Sequence, residues 1–212
     1  MQRSWVYLGK SNFVTISIII LNLLISYRAY KAFESGGLDR DNFLLRPYQL
    51  SIGKNYLGAF LSQFSHVEFY HLLFNMLTLY FFGPVVERTV GILPFLIIYA
   101  MSGLAAILLT YSQRKDDPSY SALGASGCIS GLLFASIIIY PQMSLYMFFI
   151  PIPIPGPIFA ILYLGYSLFY MNEGGGVSHE AHLGGALMGF LLGGYFAGGY
   201  QNFVNRVYEI FS

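Results

Sequence analysis

A serine and a histidine are the minimal pair for nucleophilic hydrolysis, and this chain sets one of each at the mouth of an apolar stretch. Gly124-Ala125-Ser126-Gly127 opens the first of these stretches and Ala181-His182 opens the second. A serine hydroxyl is a weak nucleophile until a base takes its proton, and a neutral imidazole titrates close enough to working pH to do so. The nearby acids, Glu173 and Glu180, are not spaced to orient that histidine, so a Ser126–His182 dyad is the simpler expectation. The developing oxyanion also needs donors. His71 and Asn75 stand four residues apart, hence on one helical face, and both can donate; the backbone N–H of Ser126 at a helix start is a third candidate.

Composition fixes the solvent in which this chemistry must run. Of 212 residues, 56% are hydrophobic, 18% aromatic and only 10% charged, against about 25% charge in an ordinary soluble domain. The chain reads as an integral membrane protein. No stretch has the composition of a linker, so residues 1–212 are taken as a single domain. The formal net charge of +1, with the eleven Lys and Arg scattered, argues against a nucleic-acid partner. Cys128 is the only cysteine, which excludes an intramolecular disulfide and a cysteine-rich metal site.

Six apolar spans must position the candidate residues: about 13–30, 70–83, 92–111, 126–140, 157–171 and 181–199. The first lacks the short apolar core and small-residue cleavage site of a signal peptide and reads as an uncleaved helix. Pro84 is expected to stop the second, and Pro151, Pro153, Pro155 and Pro157 to prevent a continuous helix before the fifth. The fourth is about 22 Å long against a hydrocarbon core of about 30 Å, so Ser126 falls below the interface and must line an enclosed or water-filled cavity. Residues 32–65 are too apolar for a hydrated loop and are expected to lie partly in the interface. Even-numbered spans all start on one side of the membrane, so parity gathers His66, His71, Asn75, Ser126, His179 and His182 on one face of the bilayer.

Packing can then close the pair. His182, Gly185, Gly189 and Gly193 share one face of the sixth span, and Ser126, Gly127, Ser130 and Gly131 share small residues on the fourth. Small-xxx-small faces let membrane helices approach closely. Gly189, Gly193, Gly198 and Gly199 read mainly as packing residues, Glu87 with Arg88 as a loop stabiliser, His66 and His179 as structural or interfacial, and Asn22 as a bond to a neighbouring helix.

These motifs carry a resemblance. His71-Leu72-Leu73-Phe74-Asn75, Glu87-Arg88-Thr89-Val90-Gly91, Gly124-Ala125-Ser126-Gly127, and Ala181-His182 with Gly185 and Gly189 match in order the motifs of rhomboid intramembrane serine proteases. The chain resembles that family over residues 66–193. The resemblance implies an all-α membrane protein with a six-transmembrane-helix rhomboid-like bundle, Ser126 as nucleophile, His182 as general base, and His71 and Asn75 with Ser126 at the oxyanion hole. It further implies membrane-spanning protein segments as substrates, contact with membrane lipid, and no metal or organic cofactor. Two departures stand out: Leu57-Gly58 occupy the place of a Trp-Arg pair often found in the loop after the first span, and Ser130 stands where members often carry an aromatic that stacks on the histidine.

Two other classes compete with the protease. A metal-dependent membrane protein could draw on the four histidines, but His179-Glu180-Ala181-His182 has i, i+3 spacing where the zinc motif needs i, i+4. A catalytically inactive rhomboid-like protein would lack the serine or the histidine, and both are present. Arg28, Lys31, Arg40, Arg46, Lys54, Arg114 and Lys115 lie on the side of the site and Arg3, Lys10, Arg88 and Arg206 on the other. The positive-inside rule would then face the site to the cytoplasm, whereas resemblance to bacterial rhomboids implies the opposite and a bacterial inner-membrane location; the resemblance is followed. Finally, the short fifth span, with Glu173-Gly174-Gly175-Gly176 after it, is expected to be the moving element that admits substrate. Its Phe159, Tyr163, Tyr166 and Tyr170 are expected to form a seam against Phe74, Leu77 and Phe81 of the second span, with no part in the chemistry.

Overall fold

The computed structural model describes residues 12–147, 150–171 and 178–212. Trp5, Glu173 and Gly174-Gly175-Gly176 lie outside the described residues. Within them the chain is predominantly helical, with α1 (Phe13–Glu34), α2 (Pro47–Ser51), α3 (Tyr56–Ser62), α4 (Phe69–Val90), α5 (Ile92–Arg114), α6 (Ser126–Ile139), α7 (Gly156–Phe169), α8 (His179–Phe196) and α9 (Gln201–Phe211). Three of these, α1, α4 and α5, are long and apolar enough to cross a membrane, while α6 and α7 are shorter apolar helices. Large side chains such as Leu24, Phe81 and Leu93 are exposed along the three long helices, as expected where hydrocarbon rather than water is the neighbour.

The purely helical expectation needs one correction. A two-stranded antiparallel hairpin, β1 (Ser144–Met147) and β2 (Ile150–Pro155), joins α6 to α7. Pro151, Pro153 and Pro155 block a helix there, yet they sit at alternate positions of β2. Their missing donors therefore fall on one edge, leaving the other edge to pair with β1.

Pro84 also behaves differently from expectation. It lies inside α4, which runs on to Val90. A proline removes one helical hydrogen bond and crowds the preceding turn, but a membrane helix tolerates this where neighbours supply partners. The carbonyl left without its helical donor is that of Tyr80, four residues before Pro84; near it, the Ser136 hydroxyl of α6, which donates to the Leu132 carbonyl of its own helix at 2.8 Å, also reaches the carbonyl of Phe82 at 3.3 Å.

The extra turn of α4 gives Glu87 its role. Buried to 4% exposure, its carboxylate accepts from the backbone N–H of Val14 at 3.0 Å and of Thr15 at 2.8 Å, and from the Thr15 hydroxyl at 2.6 Å. A carboxylate from one helix thus satisfies the orphan donors at the start of another and meets the positive end of its dipole. Arg88 donates to Asn12 Oδ1 beside it. Gly91, at φ +89°, turns the chain from α4 into α5 within a single residue, a conformation that L side chains rarely adopt. We expect Glu87→Ala to destabilise the detergent-solubilised protein by about 3 kcal/mol, since it strands three buried donors, while Glu87→Gln recovers part of this; thermal unfolding reads both.

The centre of the fold is α6, in which every residue from Gly127 to Ile139 is buried. It packs against α8, α5 and α4, and α5 packs in turn on α8. Small residues make this possible. A Cβ added at Gly185 would strike the carbonyl of Gly127, one at Gly189 the carbonyl of Gly131, and one at Gly193 the Cα of Ala135 at 2.7 Å. Residue numbers rise together along both helices, so α6 and α8 run parallel and begin at the same end. Gly198 and Gly199, by contrast, lie beyond α8 with nothing within 4 Å of an added Cβ. They do not pack helices.

The apolar segment after α1 is folded rather than loose. Beyond a 3₁₀ turn over Leu38–Phe43, it forms α2 and α3. Asn55, at φ +65°, holds it: its amide donates to the Asp41 carbonyl at 2.8 Å and its Oδ1 accepts from the Arg46 N–H at 3.1 Å. An Arg46–Asp41 ion pair at 2.9 Å adds to this. Gly58 is seated against the carbonyls of Asp41 and Leu44, with no room for a side chain. This chain anchors the segment without a Trp-Arg pair.

Candidate active site

Ser126 is the first residue of α6, so its backbone N–H is one of those a helix start leaves without an intrahelical acceptor. The segment before it is pinned at several points. Leu45 and Ala122 exchange backbone hydrogen bonds at 2.8 and 3.0 Å, and the Gly124 N–H donates to the Ser62 carbonyl at 2.9 Å. Gly124 itself, at φ +131°, lies flat under His71: an added Cβ would stand 2.6 Å from Cε1 of that ring. A side chain there would be strained and would displace the imidazole together.

His182 sits in the first turn of α8. The carboxylate nearest to it in sequence is committed elsewhere. Glu180, 1% exposed, accepts from Arg114 Nε at 3.0 Å and from the Tyr120 hydroxyl at 2.7 Å. Arg114 also donates to the Met171 carbonyl at 2.8 Å, and the Tyr120 oxygen, its proton given to Glu180, accepts from the Ser178 hydroxyl at 2.9 Å. This network ties the end of α5, the loop before α6, the end of α7 and the start of α8 around the histidine.

A cavity of about 500 Å³ opens between these elements. Ser126, His182, His71 and Asn75 all line it, with Leu44, Val67, Glu68, Tyr120, Ser121, Ala122, Leu123 and Ser178 completing the wall. Of the residues that parity gathers on one face, four thus meet in one space. No hydrogen bond joins Ser126 to His182 among the described residues; in unliganded enzymes such contacts are often long and close only around substrate.

His66 is the residue whose part sequence reasoning underrated. It is 2% exposed, and both ring nitrogens are engaged. Nε2 accepts from Asn75 Nδ2 at 2.8 Å and from the Ala125 N–H at 3.2 Å. Nδ1 faces Ser26 Oγ at 3.0 Å, and that hydroxyl donates to the Phe64 carbonyl at 3.1 Å, which leaves it to accept. Only one neutral tautomer, with the proton on Nδ1, satisfies all three contacts of the ring. His66 therefore aims Asn75 and holds the residue before Ser126, linking α1, α4 and α6. Its ring also meets His71 edge-on at 4.9 Å.

Burial pushes the His66 imidazole down to about 3, against about 6.5 for a free one. The unfolded chain then takes up this proton first as pH falls, so the stabilisation is intact above about pH 6.5 and is lost progressively towards pH 3. We expect the unfolding temperature to drop between pH 7 and pH 5 by more in the parent protein than in His66→Gln. Parallel acid profiles would remove this role.

The fifth span is α7, and its aromatic seam meets other partners than expected. The aromatic residues of α7 face α6 and α8 rather than Phe74, Leu77 and Phe81; Tyr163 packs with Phe134 at 5.5 Å and Phe159 at 5.8 Å between ring centroids. Phe81 is 59% exposed. Moreover, the Tyr163 ring stacks on His182 at 6.1 Å with 23° between planes, so α7 does reach the candidate base. Asn22 serves two helices: its amide donates to the Ile18 carbonyl of its own helix at 2.9 Å, and its side chain meets the Tyr99 hydroxyl of α5, the neighbouring-helix contact expected of it.

Comparison with known proteins bears on the same elements. Residues 54–198 match the Rhomboid domain. The chain is similar to RHOMBOID-like protein 12, mitochondrial, of Arabidopsis thaliana, at 28% identity over 79% of this chain and 55% of the relative. It is similar to Rhomboid protein 1, mitochondrial, of Saccharomyces cerevisiae, at 33% identity over 71% of this chain and 46% of the relative. It is similar also to Rhomboid protease AarA of Providencia stuartii, at 30% identity over 84% of this chain and 70% of the relative. The chain spans about half the length of the two mitochondrial relatives. With the Rhomboid match covering α3 to the end of α8 and every element that lines the cavity beyond Leu44, this membrane protein belongs to the rhomboid family.

Proposed function

We propose that this protein is an intramembrane serine endopeptidase that cuts peptide bonds in or near transmembrane segments by a Ser126–His182 dyad. The observation that carries the reading is the single cavity at which Ser126, His182, His71 and Asn75 converge, just where α6 and α8 touch backbone to backbone. His182 takes the proton of Ser126 Oγ as the hydroxyl adds to the scissile carbonyl, then returns it to the leaving amine; a water repeats the sequence to release the acyl group. The Ser126 N–H, Asn75 and His71 receive the oxyanion. Glu180, held by Arg114 and Tyr120, takes no part as an acid, and the mechanism is that of a dyad.

The substrates follow from the setting. A cavity at the ends of short helices, walled by apolar segments, suits an extended or unwound stretch of a membrane-spanning protein. The name of the Providencia stuartii relative, a protease, favours the same activity. The finer architecture, six membrane-crossing helices in one domain, adds α6, α7 and α8 to the three long spans. A bacterial inner membrane is the proposed location, resting on the bacterial relative, with a mitochondrial membrane as the alternative that two relatives suggest. A metal-dependent activity is the weaker reading because His179 and His182 stand at i, i+3 rather than i, i+4, and His66 has both ring nitrogens engaged with protein groups.

The test is reconstitution of the purified protein in lipid vesicles with model transmembrane substrates, alongside labelling by a serine-directed fluorophosphonate. Cleavage together with covalent modification of Ser126 is expected. Neither cleavage nor labelling would leave a helix-binding, inactive rhomboid-like protein.

A further inference from the structure

We propose that Tyr163 of α7, gripped by Ser130 of α6, is the positioning residue that fixes the ring plane of His182. The inference rests on the reading of His182 as general base. A base needs a defined orientation, and the usual device, a carboxylate on the far ring nitrogen, is not on offer because Glu180 is bound to Arg114 and Tyr120. What meets the ring is aromatic. Tyr163 stacks on it at 6.1 Å and 23°, and His179 meets it edge-on at 6.2 Å and 76°. Both lie within the range at which aromatic pairs attract and hold geometry.

A stacked ring orients its partner only if it is itself fixed, and Tyr163 is fixed from three sides. Phe134 of α6 and Phe159 of its own helix pack against it in tilted contacts. Its hydroxyl shares a hydrogen bond of 2.6 Å with Ser130 Oγ, inside the protein where a lost partner would leave a costly unpaired group. Ser130 stands one helical turn after Ser126, on the same side of α6. The helix that carries the nucleophile therefore holds the tyrosine that holds the base. Nucleophile and base share one reference even though no hydrogen bond joins them directly.

A consequence follows for α7. This helix touches the rest of the protein chiefly along one face, against α8, α6 and the hairpin, while Ile161, Leu162, Tyr166, Leu168 and Phe169 are exposed. Any outward displacement of α7 withdraws Tyr163 and frees the ring of His182. Docked α7 is the catalytically ordered state.

Four variants test this, assayed by the second-order rate of fluorophosphonate labelling of Ser126 and by kcat and KM on a transmembrane substrate. Tyr163→Ala should slow labelling and lower kcat by about tenfold to a hundredfold, the scale on which misplacement of a catalytic group acts, with KM nearly unchanged. Tyr163→Phe keeps the ring and should recover most of that loss. Ser130→Ala should match Tyr163→Phe, and the double variant Ser130→Ala with Tyr163→Phe should be no worse than either, because both remove one shared bond. Labelling of Tyr163→Ala at the parent rate, or equal losses in Tyr163→Phe and Tyr163→Ala, overturns the proposal. Absence of labelling in the parent protein overturns instead the assignment of Ser126 and His182.

Discussion

Ser126→Ala and His182→Ala are each expected to reduce cleavage of transmembrane substrates by at least about 10⁴-fold, and the double variant is expected to be no worse than either single one. Nucleophile and base act as a unit, so removing one already removes the step to which the other contributes. Both side chains line the cavity and both are only half-buried, so truncation to alanine opens little internal space. Unfolding temperatures should accordingly stay close to the parent value. This separates loss of chemistry from loss of fold. The labelling reaction sharpens the distinction, because Ser126→Ala removes the atom that is modified while His182→Ala removes only its activation: no adduct is expected in the first and a slow, alkaline-favoured adduct in the second. Turnover near the parent rate in Ser126→Ala would end the serine-protease reading.

The legible part of this site was the part written as local pattern. His71 and Asn75 at i, i+4, Ser126 at a helix start and His182 at another could be placed on one side of the membrane by counting spans, since direction alternates and parity needs no distances. The parallel course of α6 and α8 brings the starts of those two helices to one end. The small residues at Gly127, Gly131, Gly185 and Gly189 were likewise legible as a close-approach face, because only helical spacing is needed to see it.

What was not legible depended on contacts between residues far apart in sequence. Tyr163 reads as one member of an aromatic stripe, and nothing in its spacing tells whether the stripe faces α4 or α8. The difference is set by the hairpin, which the proline run hides by looking like mere interruption; once β1 and β2 pair, α7 is delivered against α6 and α8. Glu87 reads as part of a short loop when Pro84 carries the weight it has in water. In a helix that neighbours can repair, proline is a weaker stop, and the extra turns carry Glu87 to the start of α1. His66 was undervalued for a similar reason. Its three hydrogen-bond partners are Ser26, Asn75 and Ala125, and no one of these is at helical spacing from it.

The contact that makes the site possible is also the one least able to absorb change. Gly185→Val and Gly189→Val are expected to destabilise the protein by at least about 3 kcal/mol each, the upper part of the range for overpacking a tight core, and to abolish labelling of Ser126. The reason is what the new Cβ would meet. At Gly185 it meets the carbonyl oxygen, carbonyl carbon and Cα of Gly127, and at Gly189 the same three atoms of Gly131. Backbone atoms of a buried helix cannot rotate aside as a side chain can, so relief requires α8 to move away from α6. That movement carries His182 away from Ser126, one residue before Gly127. Stability and activity should therefore fall together, unlike in Ser126→Ala, where only activity falls. Gly165→Ala provides the contrast: on α7, with nothing within 4 Å of an added Cβ, it should be neutral or stabilise by up to about 1 kcal/mol through helix propensity. Thermal unfolding in detergent and fluorophosphonate labelling at a temperature well below the transition measure both quantities on the same samples. A Gly185→Val protein that unfolds at the parent temperature and labels at the parent rate would show that α6 and α8 do not meet in this register, and with it would go the geometric basis for pairing Ser126 with His182.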